Sequence, residues 1–80
     1  MQTPIRLPEL GVETEPITVS CWLVEIGDAV ETGDRVVEVQ ISGITFDVPA
    51  AAAGVVTAIN NSFSDPVMPG DVLGWIESAD

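Results

Sequence analysis

The sequence has no histidine, no lysine and a single cysteine among its 80 residues. Without histidine, the Ser-His and Cys-His pairs of nucleophilic enzymes are excluded. One cysteine excludes a disulfide within the chain. The two basic side chains, Arg6 and Arg35, stand against thirteen acidic ones, which gives a net charge of −11. Nucleic-acid and anionic-membrane surfaces need clustered cations, so both partners are excluded.

Long apolar runs are also absent. No run approaches the ~20 residues of a membrane-spanning helix, and the first residues have neither the basic start nor the apolar core of a signal peptide. With one cysteine, a reducing cytoplasm is the simplest compartment. The apolar fraction of 46% is too high for a disordered chain. We therefore predict one domain over residues 1–80, with one modest core, and expect it to be a monomer when isolated.

The sequence does contain strong period-two alternation. Two alternating runs, residues 37–41 and 44–48, flank the dipeptide Ser42-Gly43, and this pattern predicts a tight β-hairpin. In that register the six apolar side chains share one face. They are Val37, Val39, Ile41, Ile44, Phe46 and Val48. The same alternation predicts strands at residues 5–7, 17–23, 54–59 and 72–76.

The sequence also repeats itself. Residues 27–39 read GDAVETGDRVVEV and residues 64–76 read SDPVMPGDVLGWI, so both contain D-x-V-x-x-G-D before a strand. Gly-Asp pairs are typical of turns, because Gly takes φ > 0 and Asp bonds its own backbone. Two copies of one β unit predict a sandwich with a pseudo-twofold axis, in which each half buries the apolar face of the other.

Three segments resemble the lipoyl domains of dihydrolipoamide acyltransferases, in the lipoyl/biotinyl attachment family. These are LPELG at residues 7–11, WLVEIGDAVETGD at residues 22–34 and PAAAAGVV at residues 49–56. The resemblance runs from Ile5 to Glu77. It implies an all-β fold, a flattened sandwich of two four-stranded antiparallel sheets. It also implies that residues 1–80 are the N-terminal piece of a larger protein.

The resemblance implies a lipoyl-lysine at the hairpin tip, where the family reads like E-T-D-K-A. This chain reads QISGI there, and Gly43 stands at the lysine position. Lipoyl and biotinyl groups are attached as amides on a lysine amine, and the chain has no lysine. We therefore expect a degenerate member without lipoate or another cofactor, whose tip is refitted as a plain hairpin because Gly accepts φ > 0.

By the same resemblance, the loop between the first two strands lies beside the tip and helps a partner decarboxylase to recognise the domain. The predicted partner surface consists of Gly11, Val12, Glu13, Thr14, Glu15, Ser42 and Gly43. The function implied is a non-catalytic binding or scaffold module among the protein partners of a 2-oxo acid dehydrogenase complex. The parent chain would carry the acyltransferase.

Two other functions stay open. One is a swinging-arm acyl carrier that is modified at an unexpected group. The other is the lipoyl-like part of a membrane-fusion adaptor, a family that lacks the lysine. Those adaptors usually insert a helical hairpin where Ser42-Gly43 stands, and two residues leave no room for one. The short connection argues against the adaptor.

No catalytic residue and no metal site is predicted. Asp28, Glu31 and Asp34 miss the D-x-D-x-D-G spacing of a calcium loop, and turns explain them more simply. Cys21 alternates in step with the apolar residues of its strand, so we expect a small buried thiol. Trp22 follows on the opposite face, where it would be partly exposed.

Overall fold

The structure is a computed structural model that describes residues 1–11 and 15–78. The described residues form eight strands, and β-branched residues are frequent in the longer ones. The eight strands are β1 (Gln2–Arg6), β2 (Ile17–Trp22), β3 (Ala29–Val30), β4 (Arg35–Ile41), β5 (Ile44–Pro49), β6 (Gly54–Ile59), β7 (Pro66–Val67) and β8 (Val72–Ser78). β1 starts and ends earlier than residues 5–7, the strand predicted from the sequence.

The strands form two antiparallel four-stranded sheets, with the orders β1-β8-β6-β3 and β5-β4-β2-β7. Exchanging β1–β4 with β5–β8 converts one order into the other. The predicted sandwich with pseudo-twofold symmetry is therefore confirmed. Fifteen apolar residues are buried in one core, and no buried polar or charged residue occurs among the residues described.

A β-bulge between Val19 and Cys21 reverses the alternation at the end of β2. Because of it, the prediction of a buried Cys21 is wrong, and the thiol is exposed. Trp22 has the partial exposure predicted for it, but its ring packs against the core, and its indole N–H donates to the carbonyl of Asn61 at 2.6 Å. The second half carries a bulge at the equivalent point of β6.

Four turns share one hydrogen-bond pattern. In each, an aspartate carboxylate accepts the backbone N–H of the residue three positions earlier, and the aspartate N–H donates to that residue's carbonyl. The aspartates are Asp28, Asp34, Asp65 and Asp71. The residue before each has a positive φ, and it is glycine in three turns and Ser64 in the fourth. The repeated Gly-Asp pairs therefore build the same turn in both halves.

We expect Gly70→Val to cost roughly 1 kcal/mol or more of unfolding free energy. Gly70 has a φ of 93°, and a Cβ there would meet nothing within 4 Å, so the cost is conformational. Gly33→Val should lose a similar amount because Gly33 has the same φ. Gly70→Asn is the control, since asparagine tolerates positive φ better. Urea unfolding midpoints that stay unchanged in both valine variants would contradict the shared geometry.

The register predicted for the hairpin is confirmed, because Ile41 pairs with Ile44 and Val39 pairs with Phe46. The same register puts the six apolar side chains on one face, as predicted, and four of them are buried in the core. Ile44 is 60% exposed and Phe46 is 38% exposed. β5 is an edge strand with a neighbour on one side only, and burial decreases along it toward the hairpin tip.

Candidate functional site: the hairpin tip

The β4–β5 connection consists of two residues, Ser42 and Gly43. Their φ angles are 49° and 80°. Positive φ at both central positions defines a type I′ turn, whose twist matches that of the flanking strands. The pairing of Ile41 with Ile44 closes the hairpin and holds both turn residues at its apex.

Glu15 lies beside this apex. The Ser42 hydroxyl donates a short hydrogen bond to the Glu15 carboxylate, and both side chains are exposed. Glu15 comes two residues before β2, and the first residue of β2, Ile17, pairs with Ile41. The end of the first loop is therefore held against the hairpin tip.

The other predicted surface residues are placed differently. Gly11 is exposed with a φ of 80°, and its N–H donates to the Glu9 carboxylate at 3.1 Å. Val12, Glu13 and Thr14 lie outside the described residues. Within the described part of the predicted surface, the structure thus joins Glu15 to Ser42, the neighbour of Gly43 at the tip.

The residues at the tip do not fit a lipoyl or biotinyl group, since either needs an amine for its amide bond. Gly43 has no side chain, and the one nucleophilic group of the turn is the Ser42 hydroxyl. A Cβ added at Gly43 would meet nothing within 4 Å. The apex therefore has room for a longer side chain but lacks the amine.

The α-amino group of Met1 is the only amine in a chain without lysine. It forms an ion pair with Glu77 at 2.6 Å, and this hydrogen bond and charge lower the pKa of the Glu77 carboxyl. β7 pairs with the tip end of β2, Val67 opposite Ile17, and β8 leads from there back to Met1. The amine is thus at the end of the sandwich opposite the tip.

Neither arginine side chain neutralises the tip. Arg6 donates to the carbonyl of Gly70 at 3.1 Å, and Arg35 pairs with Asp47 at 3.1 Å.

In the described residues, no group of three acidic or cysteine side chains could hold a metal ion. No helix long and apolar enough to cross a bilayer occurs in the part of the chain that the structure describes.

The comparisons of this chain with known proteins agree on one family. The sequence model of the biotin/lipoyl family, described as "Biotin-requiring enzyme", matches residues 3–76. The chain is 32% identical over 80 residues to the dihydrolipoyllysine-residue acetyltransferase component of the pyruvate dehydrogenase complex of Corynebacterium glutamicum. It is 33% identical over 78 residues to the dihydrolipoyllysine-residue succinyltransferase component of the 2-oxoglutarate dehydrogenase complex of Bartonella vinsonii subsp. berkhoffii.

These alignments cover 100% and 98% of this chain but only 12% and 19% of the two relatives. Among solved structures, the chain is similar to the lipoyl domain of the 2-oxoglutarate dehydrogenase complex from Azotobacter vinelandii. The TM-score is 0.65 at 28% identity, and the match covers 99% of this chain and 96% of that one. The similarity thus extends over a whole domain of that structure.

Proposed function

The chain belongs to the biotin/lipoyl family and is a lipoyl domain of the 2-oxo acid dehydrogenase acyltransferase type, and on that basis we propose that it is a non-lipoylated, non-catalytic binding module. The observation that carries the proposal is Gly43 at the hairpin apex. The relatives are named for a dihydrolipoyllysine residue, in which the lipoyl group is bound to a lysine amine. The apex of this hairpin has no amine and cannot carry such a group.

The proposed partners are protein components of a dehydrogenase-type complex, because the relatives are components of such complexes. The surface that would meet them is the tip with the adjoining first loop. The hydrogen bond between Ser42 and Glu15 supports this role, since it fixes two segments of the surface relative to each other. The acyltransferase activity would reside elsewhere in the parent chain.

Intact-mass spectrometry of the protein isolated from its own cells tests the first half of the proposal. We expect the mass of the unmodified chain, because no lysine is present to accept lipoate. A mass increase by one acyl-carrying group would refute the proposal. It would establish instead the alternative of a carrier that is modified at an unexpected group.

Co-purification with the 2-oxo acid decarboxylase of the same cells tests the second half. We expect Glu15→Arg to weaken this association by about tenfold, because it reverses the charge and breaks the hydrogen bond to Ser42. Glu25→Arg is the matched control. It makes the same charge change beyond the other end of β2 and should leave the association within about threefold of the unsubstituted protein. Equal losses in both variants would mean that only net charge matters.

A further inference from the structure

The two sheets have four edge strands, β1, β3, β5 and β7, and three of these are blocked. β3 and β7 are two residues long. β1 carries Pro4 at its centre, opposite Trp75. Short strands and prolines are ways in which proteins prevent a further strand from pairing with a sheet edge. β5 has six residues and no proline before Pro49, its last residue. Among the described strands it pairs with β4 alone, and β1 of the other sheet packs near it without pairing, so its outer edge is free of hydrogen-bonded strands.

The pseudo-twofold axis shows which backbone groups this open edge presents. Asp47 pairs with Glu38 and Pro4 pairs with Trp75, and these pairs occupy equivalent positions in the two halves. Pro4 has no N–H, so the nitrogen at this position faces away from the neighbouring strand. The N–H of Asp47 therefore faces away from β4. In an antiparallel hairpin the residue two positions away, Thr45, points its N–H and C=O the same way.

The side chains of the hairpin indicate which residues a strand added beside β5 would need. On the core-facing side, Ile44 and Phe46 are 60% and 38% exposed, and a strand added beside β5 would cover them. On the outer side, Glu38 lies opposite Asp47, whose charge is paired with Arg35, so Glu38 and the net charge of −11 are what favour basic residues there. A matching strand would thus place apolar residues on one side and basic residues on the other. A second copy of the chain, with a net charge of −11, would be repelled.

We propose that the free edge of β5 is a docking site for an extended segment of a partner protein in which apolar and basic residues alternate. The segment adds a ninth strand to the sandwich, bonds to the backbone of Thr45 and Asp47, and buries Ile44 and Phe46. The proposal rests on the binding role proposed above but concerns another surface than the tip, so the two are tested by different variants.

The experiment uses a fluorescein-labelled peptide of about nine residues, in which lysine or arginine alternates with valine or isoleucine. Fluorescence anisotropy measures its affinity for the unsubstituted protein, for Asp47→Pro and for Asp47→Asn. Asp47→Pro places in β5 the residue that β1 has at the equivalent position, so we expect the variant to fold. Both variants break the ion pair with Arg35, but only proline removes the outward N–H.

We expect Asp47→Pro to weaken binding about tenfold or more and Asp47→Asn to stay within about threefold of the unsubstituted protein. Amide chemical-shift changes on peptide binding should be centred on residues 44–48. Equal affinities of the two variants would overturn the proposal, because the outward N–H of residue 47 would then make no difference to peptide binding. Shift changes centred on Ser42 and its hydrogen-bond partner Glu15 would overturn it too, without contradicting the binding role of the tip.

Two further measurements address a variant that does not fold and a different occupant of the edge. If Asp47→Pro does not fold, the same peptide N-methylated at alternate residues replaces it, since methylation removes the donors from the partner strand. A methylated peptide that binds as tightly as the unmethylated one overturns the proposal. Sedimentation equilibrium tests the rival occupant. A dimer that forms at neutral pH and is lost in Asp47→Pro would assign the edge to a second copy of the chain.

Discussion

Gly54→Ala is expected to destabilise the domain by about 3 kcal/mol, near the upper end of the range for overpacking. A Cβ on Gly54 would overlap the carbonyl oxygen of Glu77 and lie 2.8 Å from its carbonyl carbon and 2.9 Å from Cγ2 of Ile76. Two of these three atoms are backbone of β8, the neighbouring strand. Relief therefore requires the two strands to move apart.

Thermal and urea unfolding measure this effect. For a domain of this size, about 3 kcal/mol corresponds to a fall in Tm of roughly 12–24 °C. Gly43→Ala is the matched control, because its Cβ would meet nothing within 4 Å and only its φ of 80° opposes alanine. We expect that variant to lose about 1 kcal/mol or less. Equal losses in both variants would show that β6 and β8 separate easily.

The hairpin and the two-sheet architecture could be predicted from the sequence because both depend on local patterns. Alternation with a period of two determines which side chains share a face, and the two residues Ser42 and Gly43 leave one register for the strands around them. The repeated D-x-V-x-x-G-D segments build repeated turns, and a repeated unit with one apolar face must pair with its copy.

The end of β2 could not be predicted, because its bulge depends on a segment far away in the sequence. The N–H of Val19 donates to the carbonyl of Asp65, and the N–H of Ser64 donates to the carbonyl of Val19. These bonds hold the strand where the bulge occurs. Nothing in the local sequence ITVSCW shows them, so the alternation placed Cys21 inside and Trp22 outside.

The candidate site was predicted in part. Gly43 at the apex follows from the hairpin register, whereas the partner surface of residues 11–15 came from family resemblance and remains a prediction. The exposure of Ile44 and Phe46 could not be foreseen. Alternation tells which side of a strand is apolar, but the extent of the opposite sheet decides how much of that side is covered.

Gly43→Lys is expected to be modified at least partly by lipoate ligase, whereas the unsubstituted chain is expected to remain bare. In the lipoyl domains that this chain resembles, the ligase acts on a lysine at the hairpin apex, and position matters more than the flanking residues. Residue 43 is at that apex, with open space around its Cβ. The cost in stability should stay at or below about 1 kcal/mol, since lysine at the tip is solvated and only the positive φ opposes it.

Intact-mass spectrometry after co-expression with the ligase in the presence of lipoate gives the result. Gly33→Lys is the matched control, because it places a lysine at another open turn with a positive φ and should remain bare. If Ser42→Lys is modified while Gly43→Lys is not, the position equivalent to the lysine is off by one residue. If both tip variants, Gly43→Lys and Ser42→Lys, fold and remain bare, the surface around the tip has diverged as well as the lysine. Modification of Gly43→Lys alone would mean that the side chain is what this tip lacks, because the backbone of the hairpin already presents residue 43 as the ligase requires.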